Sequence, residues 1–182
     1  DLDKQLTEAG VLARRLPFQV DNTLRKAINK GEVMFIDQHL SETVEQMRNK
    51  QLKKPDIAVI EAVAITEDGG IIPTTSVGNS ASFAIFAEKV IVEINTNLSP
   101  AFEGLHDIYI PSYRPTRQPI PLTEIDERIG TQAINIDPSK IVGIVINSEF
   151  HDSPSTVTEP DDETQGIANH LIAFFEKEVA ED

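Results

Sequence analysis

The residues best suited to ligand binding form a short loop, Ser76-Val77-Gly78-Asn79-Ser80, between an extended and a helical segment. Glycine lets a loop backbone approach a ligand closely, and Asn79 or Ser80 can cap the helix that follows. Free N–H groups at a helix start attract anions, and ligands of open α/β sheets collect in such loops. A capped turn without any ligand has the same pattern. The loop is therefore the first place to look for a site, with both interpretations open.

Two glutamates interrupt apolar segments, where a carboxylate can become an acid, a base or a covalent nucleophile. Glu61 lies within residues 57–65 and Glu93 within residues 90–94. A buried carboxylate must find partners because its desolvation is costly. The sequence favours the simpler interpretation, in which each of these strands exposes one side.

The spacing of the four histidines does not match a known catalytic or metal-binding motif. No two of His39, His106, His151 and His170 have the spacing of a local metal pair such as H-E-x-x-H, so no metal site is expected. His39 and His106 follow predicted strands and could line a pocket, but a loop histidine is more often a structural hydrogen-bonding residue. Neither G-x-G-x-x-G nor G-x-x-x-x-G-K-[ST] is present, so no nucleotide fingerprint supports the loop.

The elements around the loop predict a parallel crossover. Residues 57–65 are apolar enough for a strand covered on both sides. The Glu67-Asp68-Gly69-Gly70 sequence is typical of a tight reversal, after which residues 71–73 are extended. A helix over residues 81–89 and a strand over 90–94 complete a unit of two parallel strands.

The flanking segments extend this pattern. Apolar residues recur at helical spacing from Leu2 to Leu16 and stop at Pro17, and a second helix is capped by Asp21 and ended by Gly31. Further predicted elements are a strand over 33–36, a helix capped by Ser41, irregular structure over 95–121, a strand over 140–146, and a last helix capped by Thr158 with Pro160 in its first turn. Successive strand, loop and helix units indicate an α/β fold, a mostly parallel sheet with helices on both faces.

The length and composition of the chain limit which partners are expected. The chain has 182 residues and is expected to form a single α/β domain over 1–182. Its net charge of −14, from 30 acidic and 16 basic residues, opposes binding to nucleic acid or to an anionic membrane. Cysteine is absent and no apolar run is long enough to span a bilayer, which fits a cytoplasmic protein.

The central stretch, EAVAITEDGGIIPTTSVGNS over residues 61–80, resembles the acetyl-CoA hydrolase/transferase family of class I coenzyme A transferases. The resemblance covers most of the chain, and its further pieces lie at residues 37–41, 87–95, 103–108, 128–130 and 137–141 and in the final helix. It implies a coenzyme A transferase-like (NagB/RpiA-like) topology of two similar α/β halves. This chain would then be part of the N-terminal half, without the catalytic C-terminal half.

The resemblance also implies a mechanism. A glutamate attacks a short acyl-CoA thioester, forms an acyl-glutamyl anhydride and then a glutamyl-CoA thioester, which passes CoA to a small carboxylic acid. In the family, that glutamate and the Gly-rich CoA loop belong to the second half. No catalytic residue is therefore expected in this chain, which alone should be inactive. Coenzyme A thioester is a substrate, and no bound cofactor is expected.

Within this half, the resemblance implies that residues 18–21, residues 76–79 and the loop over 147–154 form the wall of the acid pocket. The substrate-binding residues expected from it are Val20, Ser76, Val77, Gly78, Asn79 and His151. Relatives that use acetate and succinate place a hydroxyl residue near Val20 and an arginine in the last loop. This chain has neither, and His151 replaces an arginine only partly because it lacks the bidentate fork. The acceptor acid stays open.

Two other interpretations stay open. The first is a non-catalytic ligand-binding or assembly module on the same scaffold. The second is a sugar-phosphate isomerase of similar topology, which would need cationic phosphate ligands that the Ser76 to Ser80 loop does not supply. A partner surface left exposed by truncation would favour a homo-oligomer. The sequence identifies neither the acyl group nor whether the enzyme is a transferase or a hydrolase.

Overall fold

The computed structural model describes residues 2–16, 18–120, 122–148 and 158–179. They belong to two compact units, Asp1–His151 and Asp152–Asp182. The first contains the sheet and the second contains one helix. The assignment of all 182 residues to a single domain stays a prediction.

The first unit is built on a four-stranded sheet. Its strands are β3 (Ile57–Ile65), β4 (Ile71–Pro73), β5 (Lys89–Asn95) and β6 (Ile141–Asn147), in the order β4-β3-β5-β6. Strands β3, β5 and β6 are parallel, and β4 is antiparallel to β3 at one edge. Helix α4 (Ser80–Phe86) connects β4 to β5. The predicted α/β class with a mostly parallel sheet and the predicted crossover are both confirmed, although α4 ends three residues earlier than expected.

The reversal after β3 forms as predicted. Gly69 has a φ of +87°, which glycine adopts without steric cost. The Thr66 N–H donates to the Gly70 carbonyl at 2.8 Å, and the Gly69 N–H donates to the Thr66 carbonyl at 2.9 Å. These bonds turn the chain so that β4 pairs with β3.

The same turn predicts a testable pH dependence of stability. The Thr66 hydroxyl donates to the Asp68 carboxylate, and this hydrogen bond lowers the pKa of Asp68. A lowered folded pKa contributes stability above the unfolded pKa and loses it as the pH falls through the folded pKa. We expect the difference in unfolding free energy between wild type and Asp68→Asn to be constant near neutrality and to shrink below about pH 4. Urea unfolding at several pH values measures it, and a difference unchanged down to strong acid contradicts it.

The main core lies on one face of the sheet. Alternate residues of β3 and β5 point toward α4, whose facing positions are alanines and so let the helix approach closely. The buried members are Ala58, Ile60, Ala62, Ile71, Ala81, Ala84, Ala87, Val90, Val92, Ile108 and Ile134. Ile71 and Ile134 also exchange backbone hydrogen bonds of 3.0 and 2.8 Å, which ties the 107–137 segment to the sheet edge.

The opposite side of β3 is exposed over residues 57–61, so the prediction of a strand covered on both sides is wrong for this part of the strand. Ile57 and Val59 are 51% and 59% exposed, and burial alternates up to Ala62. Val63 is 8% exposed and packs with Ile72 and Ala133 in a separate small cluster. The apolar sequence indicated burial, but within the described residues α4 packs against the other face. Glu61 lies on the exposed side, as the simpler interpretation of that residue required.

The N-terminal segment differs from the single helix predicted up to Leu16. Helix α1 covers Leu2–Glu8, and β1 (Arg14–Arg15) pairs in parallel with β2 (Met34–Phe35). Gly10 has a φ of +66°, and the Val11 N–H donates to the Leu6 carbonyl at 3.2 Å. This glycine-terminated ending satisfies the last helical carbonyls and stops the helix before the apolar periodicity ends.

Helix α2 (Asn22–Asn29) forms as predicted, with the Asp21 carboxylate accepting from the Leu24 N–H at 2.8 Å and Gly31 at a φ of +76°. Helix α3 covers Leu40–Arg48 and begins after His39, so the prediction that Ser41 caps it is wrong. Ser41 instead lies in the first turn, because the chain already becomes helical at residue 40.

Regular structure is sparse between β5 and β6, where it was predicted to be irregular over residues 95–121. Two single 3-10 turns, Pro100–Phe102 and Pro138–Lys140, and two isolated bridges are present in the described part of this segment.

In the second unit, helix α5 covers Asp162–Val179, and the Asp161 carboxylate accepts from the Thr164 N–H at 2.8 Å. The prediction that Thr158 caps this helix with Pro160 in its first turn is therefore wrong. No helix among the described residues combines the length and the apolar character needed to cross a membrane.

Candidate functional site

A cavity of about 350 Å³ lies beside the predicted ligand loop. Its walls come from α3, from the loop before α4 with the start of α4, and from the irregular segment that follows Asp107. The lining residues are Ser41, Val44, Glu45, Arg48, Val77, Gly78, Asn79, Ala81, Ser82, Asp107, Ile108, Tyr109, Ile110, Pro111, Arg114 and Arg117. The volume is at the small end of the range for ligand pockets, which suits a small molecule.

The loop contributes an open wall to this cavity. Gly78 is exposed with a φ of +47°, and a Cβ placed there would meet no atom within 4 Å. The Asn79 side-chain amide donates to the Leu40 carbonyl at 2.8 Å and makes no capping bond to α4. Of the two predicted capping residues, Asn79 occupies the N-cap position and Ser80 is the first helical residue, but the Asn79 side chain does not make the expected capping bond. Its side chain instead holds the loop against α3, which fixes the distance between two walls of the cavity.

The predicted site residues fall into three groups. Val77, Gly78 and Asn79 line the cavity together. Ser76 is exposed outside the lining, and Val20 is 65% exposed and lines neither this cavity nor its neighbour around Ile129. His151 lies outside the described residues. The structure thus brings together the second half of the predicted loop, and the ligand roles of all six residues stay predictions.

A buried carboxylate surrounded by arginines forms the polar end of the cavity. Glu45 is 6% exposed, and its Oε1 lies 3.0 Å from Arg48 Nη1 and 2.6 Å from Arg117 Nη2. Arg114 Nε lies 3.9 Å from Glu45 Oε2. Glu45 therefore serves as a buried counter-ion that gathers three guanidinium groups from two separate segments.

Arg48 is the structural member of this cluster. Its side chain is 3% exposed, and its Nη2 donates to the Pro111 carbonyl at 2.9 Å. The guanidinium carbon lies 5.0 Å from the centre of the Tyr113 ring, a cation–π arrangement, while Nε is buried without a hydrogen-bond partner. Arg48 consequently anchors the irregular segment to α3 and shapes the cavity wall.

Sequence reasoning missed this cluster. Its members are distributed over α3 and the Pro-rich segment, so no spacing in the sequence connects them. The one available signal was the pair Arg114 and Arg117 on either side of Pro115, two of only 16 basic residues in a strongly acidic chain. A positive pair in such a chain is typical of an ion-pair network or an anion site.

The two strand glutamates are hydrogen-bond acceptors on the exposed side of the sheet. Glu61 and Glu93 are paired in the register of β3 and β5. Glu61 accepts from the Thr74 hydroxyl at 3.1 Å and from the Asn95 amide at 2.8 Å, and Glu93 accepts from the Asn147 amide at 2.7 Å. Asn95 is 1% exposed, so this network ties the carboxyl ends of the strands together. Neither glutamate lines the cavity.

The histidines have structural surroundings. His106 Nε2 lies 2.9 Å from the Pro73 carbonyl, which can only accept, so Nε2 carries the proton. The ring also stacks on Phe102 with centroids 6.4 Å apart. His39 is exposed at the start of α3, and His170 is exposed on α5. Across the part of the chain that the structure describes, no group of three or more His, Asp and Glu side chains is placed to hold a metal ion.

The fold and the cavity define an α/β protein with a cavity between a sheet-crossover loop and an arginine-rich segment. Comparison with known families identifies it further. Residues 1–146 match the model described as the acetyl-CoA hydrolase/transferase N-terminal domain. The chain therefore belongs to the acetyl-CoA hydrolase/transferase family, and the resemblance found in the sequence is confirmed.

Relatives of established function agree with this family. The chain is 42% identical over 181 residues to a succinyl-CoA:acetate CoA-transferase of Clostridium kluyveri, with 100% of the chain and 34% of the relative covered. It is 41% identical over 186 residues to an acetyl-CoA hydrolase of Schizosaccharomyces pombe, with 99% and 35% covered. An acetyl-CoA hydrolase of Saccharomyces cerevisiae is 40% identical over 184 residues, with 97% and 35% covered. The chain spans about a third of the length of these curated relatives.

Proposed function

We propose that this chain is the part of an acyl-CoA transferase or hydrolase that forms the wall of its small-acid pocket. The observation that carries the proposal is the cavity lined by Val77, Gly78 and Asn79 in a chain that belongs to this family over residues 1–146. The curated relatives are named as acetyl-CoA hydrolases and a succinyl-CoA:acetate CoA-transferase. The substrates are therefore a short acyl-CoA and a small carboxylic acid.

The proposed reaction moves CoA through a covalent glutamyl-CoA on polypeptide outside this chain. The glutamate oxygen attacks the thioester carbonyl, the carbon–sulfur bond breaks, and CoA leaves as the thiolate. The thiolate then attacks the glutamyl carbonyl of the anhydride and releases the donor acid. The acceptor carboxylate then attacks the glutamyl-CoA thioester, which releases CoA thiolate and forms a second anhydride. The thiolate attacks the acyl carbonyl of that anhydride, so the acceptor leaves as its CoA thioester and the glutamate is regenerated. Attack by water on an intermediate gives hydrolysis instead. Splitting the transfer in this way replaces one difficult step with easier ones.

The residues of this chain would position the acid and exclude water. Val44, Val77 and Ile108 offer apolar contacts to an alkyl chain, and the arginine cluster offers positive charge to a carboxylate. The nucleophile is proposed to lie elsewhere, because the cavity-lining carboxylates, Glu45 and Asp107, are both engaged by hydrogen bonds. The chain alone is thus proposed to be inactive.

The test is CoA exchange in the full-length protein. Incubation with a short acyl-CoA and an isotopically labelled small acid should give labelled acyl-CoA, and hydroxylamine should trap an enzyme-bound thioester. The 182-residue chain under the same conditions should give neither product. Absence of exchange, of hydrolysis and of a trapped intermediate in the full-length protein would overturn the proposal and favour a non-catalytic binding module.

A further inference from the structure

Residues 111–117 form a strap along one side of the cavity. Pro111, Arg114 and Arg117 line the cavity from this segment, and residues 112–117 are all exposed to solvent. None of residues 112–117 belongs to the hydrophobic clusters that the described residues form. Burial of apolar surface, the main favourable term in folding, therefore contributes little to holding the strap in place.

A buried carboxylate on α3 holds the strap instead. Arg117 Nη2 lies 2.6 Å from Glu45 Oε1, and Arg48 Nη1 lies 3.0 Å from the same oxygen. Arg48 also donates to the Pro111 carbonyl at 2.9 Å, and its guanidinium carbon lies 5.0 Å from the centre of the Tyr113 ring. Arg48 thus holds the start of the strap, and the Arg117–Glu45 pair holds its end.

The strap keeps its own shape through hydrogen bonds within it. The Thr116 hydroxyl donates to the Tyr113 carbonyl at 3.2 Å, and Arg117 Nε donates to the Ser112 carbonyl at 3.2 Å. The other charged contacts with α3 are weaker, because Arg114 lies 3.9 Å from both of its carboxylate partners, beyond hydrogen-bonding distance. The end of the strap therefore depends on one direct charge-assisted bond to the helix.

The excursion that carries the strap is closed at its base. Ile108 and Thr131 exchange backbone hydrogen bonds of 2.8 and 3.0 Å, and the Gly130 N–H donates to the Asp107 carboxylate at 2.6 Å. A Cβ placed at Gly130 would lie 2.3 Å from the Ile108 carbonyl oxygen, so the two arms run in close contact. A segment with a fixed base and few buried apolar contacts belongs to the part of a fold that opens most easily.

We propose that the strap is a lid on the cavity and that the Arg117–Glu45 pair is its latch. When Arg117 leaves Glu45, residues 112–117 swing away from α3 and the cavity opens on that side. Glu45 keeps Arg48 as its partner in the open state, so no buried carboxylate is left unpaired. A charge-assisted bond of this kind favours the closed state by roughly ten- to a hundredfold, which leaves a small open population that admits a ligand. This inference goes beyond the proposed function, because it concerns access to the cavity whichever molecule binds there.

Thiol labelling of the 182-residue chain measures the opening, because the chain contains no cysteine. Ser82→Cys places a thiol of similar size in the cavity lining, where Ser82 is 9% exposed. A bulky maleimide should label this thiol slowly, at a rate that follows the open fraction when closing is faster than labelling. Adding Arg117→Met should raise the rate by about tenfold or more, because it removes the charge-assisted bond to Glu45. An unchanged rate would overturn the inference.

Low concentrations of urea separate lid opening from unfolding. The matched control thiol is Ala84→Cys on the same helix, because Ala84 is 0% exposed and lines neither cavity. Its labelling requires unfolding of the core, which exposes a large surface, so its rate should rise steeply with urea. Lid opening exposes little new surface, so the Ser82→Cys rate should be faster and nearly constant over the same range. Equal urea dependence of the two thiols would overturn the lid.

Two further variants separate the latch from a general effect of charge. Arg117→Lys keeps the positive charge without the planar fork, so it should raise the Ser82→Cys labelling rate less than Arg117→Met does. Arg25→Met removes an exposed positive charge on α2, outside the cavity, and should leave the rate unchanged. An increase with Arg25→Met as large as that with Arg117→Met would overturn the role of the Arg117–Glu45 pair.

Discussion

Replacing Glu45 with glutamine is expected to lower the free energy of unfolding by about 3 to 5 kcal/mol, because it leaves a buried arginine without its counter-ion. Glu45 is 6% exposed, and the Arg48 side chain is 3% exposed. Glutamine keeps the size and one acceptor oxygen, so the loss reports the charge rather than a cavity. Urea unfolding of the 182-residue chain at neutral pH measures the effect.

The matched control is Glu42→Gln on the same helix. Glu42 is 45% exposed, and its distance to Arg114 is 3.9 Å, so its removal should change the unfolding free energy by less than about 1 kcal/mol. A Glu45→Gln variant as stable as Glu42→Gln would show that the arginine cluster does not support the fold. The cavity wall described above would then lose its physical basis.

The second large effect is expected in the sheet core. Ile60 is 2% exposed in the middle of β3, and Ile60→Ala should cost about 2 to 5 kcal/mol through lost burial and the cavity it leaves. Val59 is its neighbour on the opposite side of the strand and is 59% exposed. Val59→Ala should cost less than about 1 kcal/mol in the 182-residue chain. Urea midpoints of both variants make the comparison.

Together, the Ile60→Ala and Val59→Ala variants test which face of β3 packs into the core. Similar losses for Ile60→Ala and Val59→Ala would contradict the one-sided packing seen in the first unit. The full-length protein offers an informative contrast, since any element that covers the exposed face there would raise the cost of Val59→Ala and leave that of Ile60→Ala unchanged.

Local sequence signals predicted the parts of the fold that local chemistry determines. The Gly69 reversal, the Asp21 cap and the Gly31 ending each depend on the conformational range or acceptor geometry of one side chain, and all three formed as expected. The parallel crossover from β3 to β5 followed from the order of elements. These features need little tertiary context, which is why the sequence sufficed.

Features that depend on competition between signals were predicted less well. Apolar periodicity continued past Gly10, yet the positive φ of that glycine ended α1 first. Asn79 had a capping side chain, but the Leu40 carbonyl was the better partner across the cavity. The apolar character of β3 indicated burial without indicating which segment would provide it.

The candidate site was predicted only in part, because one of its two walls depends on tertiary contacts. The loop from Val77 to Asn79 was found because glycine and capping residues mark it locally. The arginine cluster was missed because Glu45 and Arg114 meet only through folding of the Pro-rich segment onto α3. Sequence reasoning therefore located one wall of the cavity, and only the structure brought the charged wall against it.

The central claim is that this chain shapes the acid pocket and that the reactive carboxylate lies on other polypeptide. The most direct measurement is peptide mapping of the full-length protein after incubation with acyl-CoA and hydroxylamine trapping. The account predicts a modified glutamate outside the 182 residues of this chain, and no modification when the chain is treated alone. A modified glutamate within these residues, such as Glu45 or Glu61, would contradict the account.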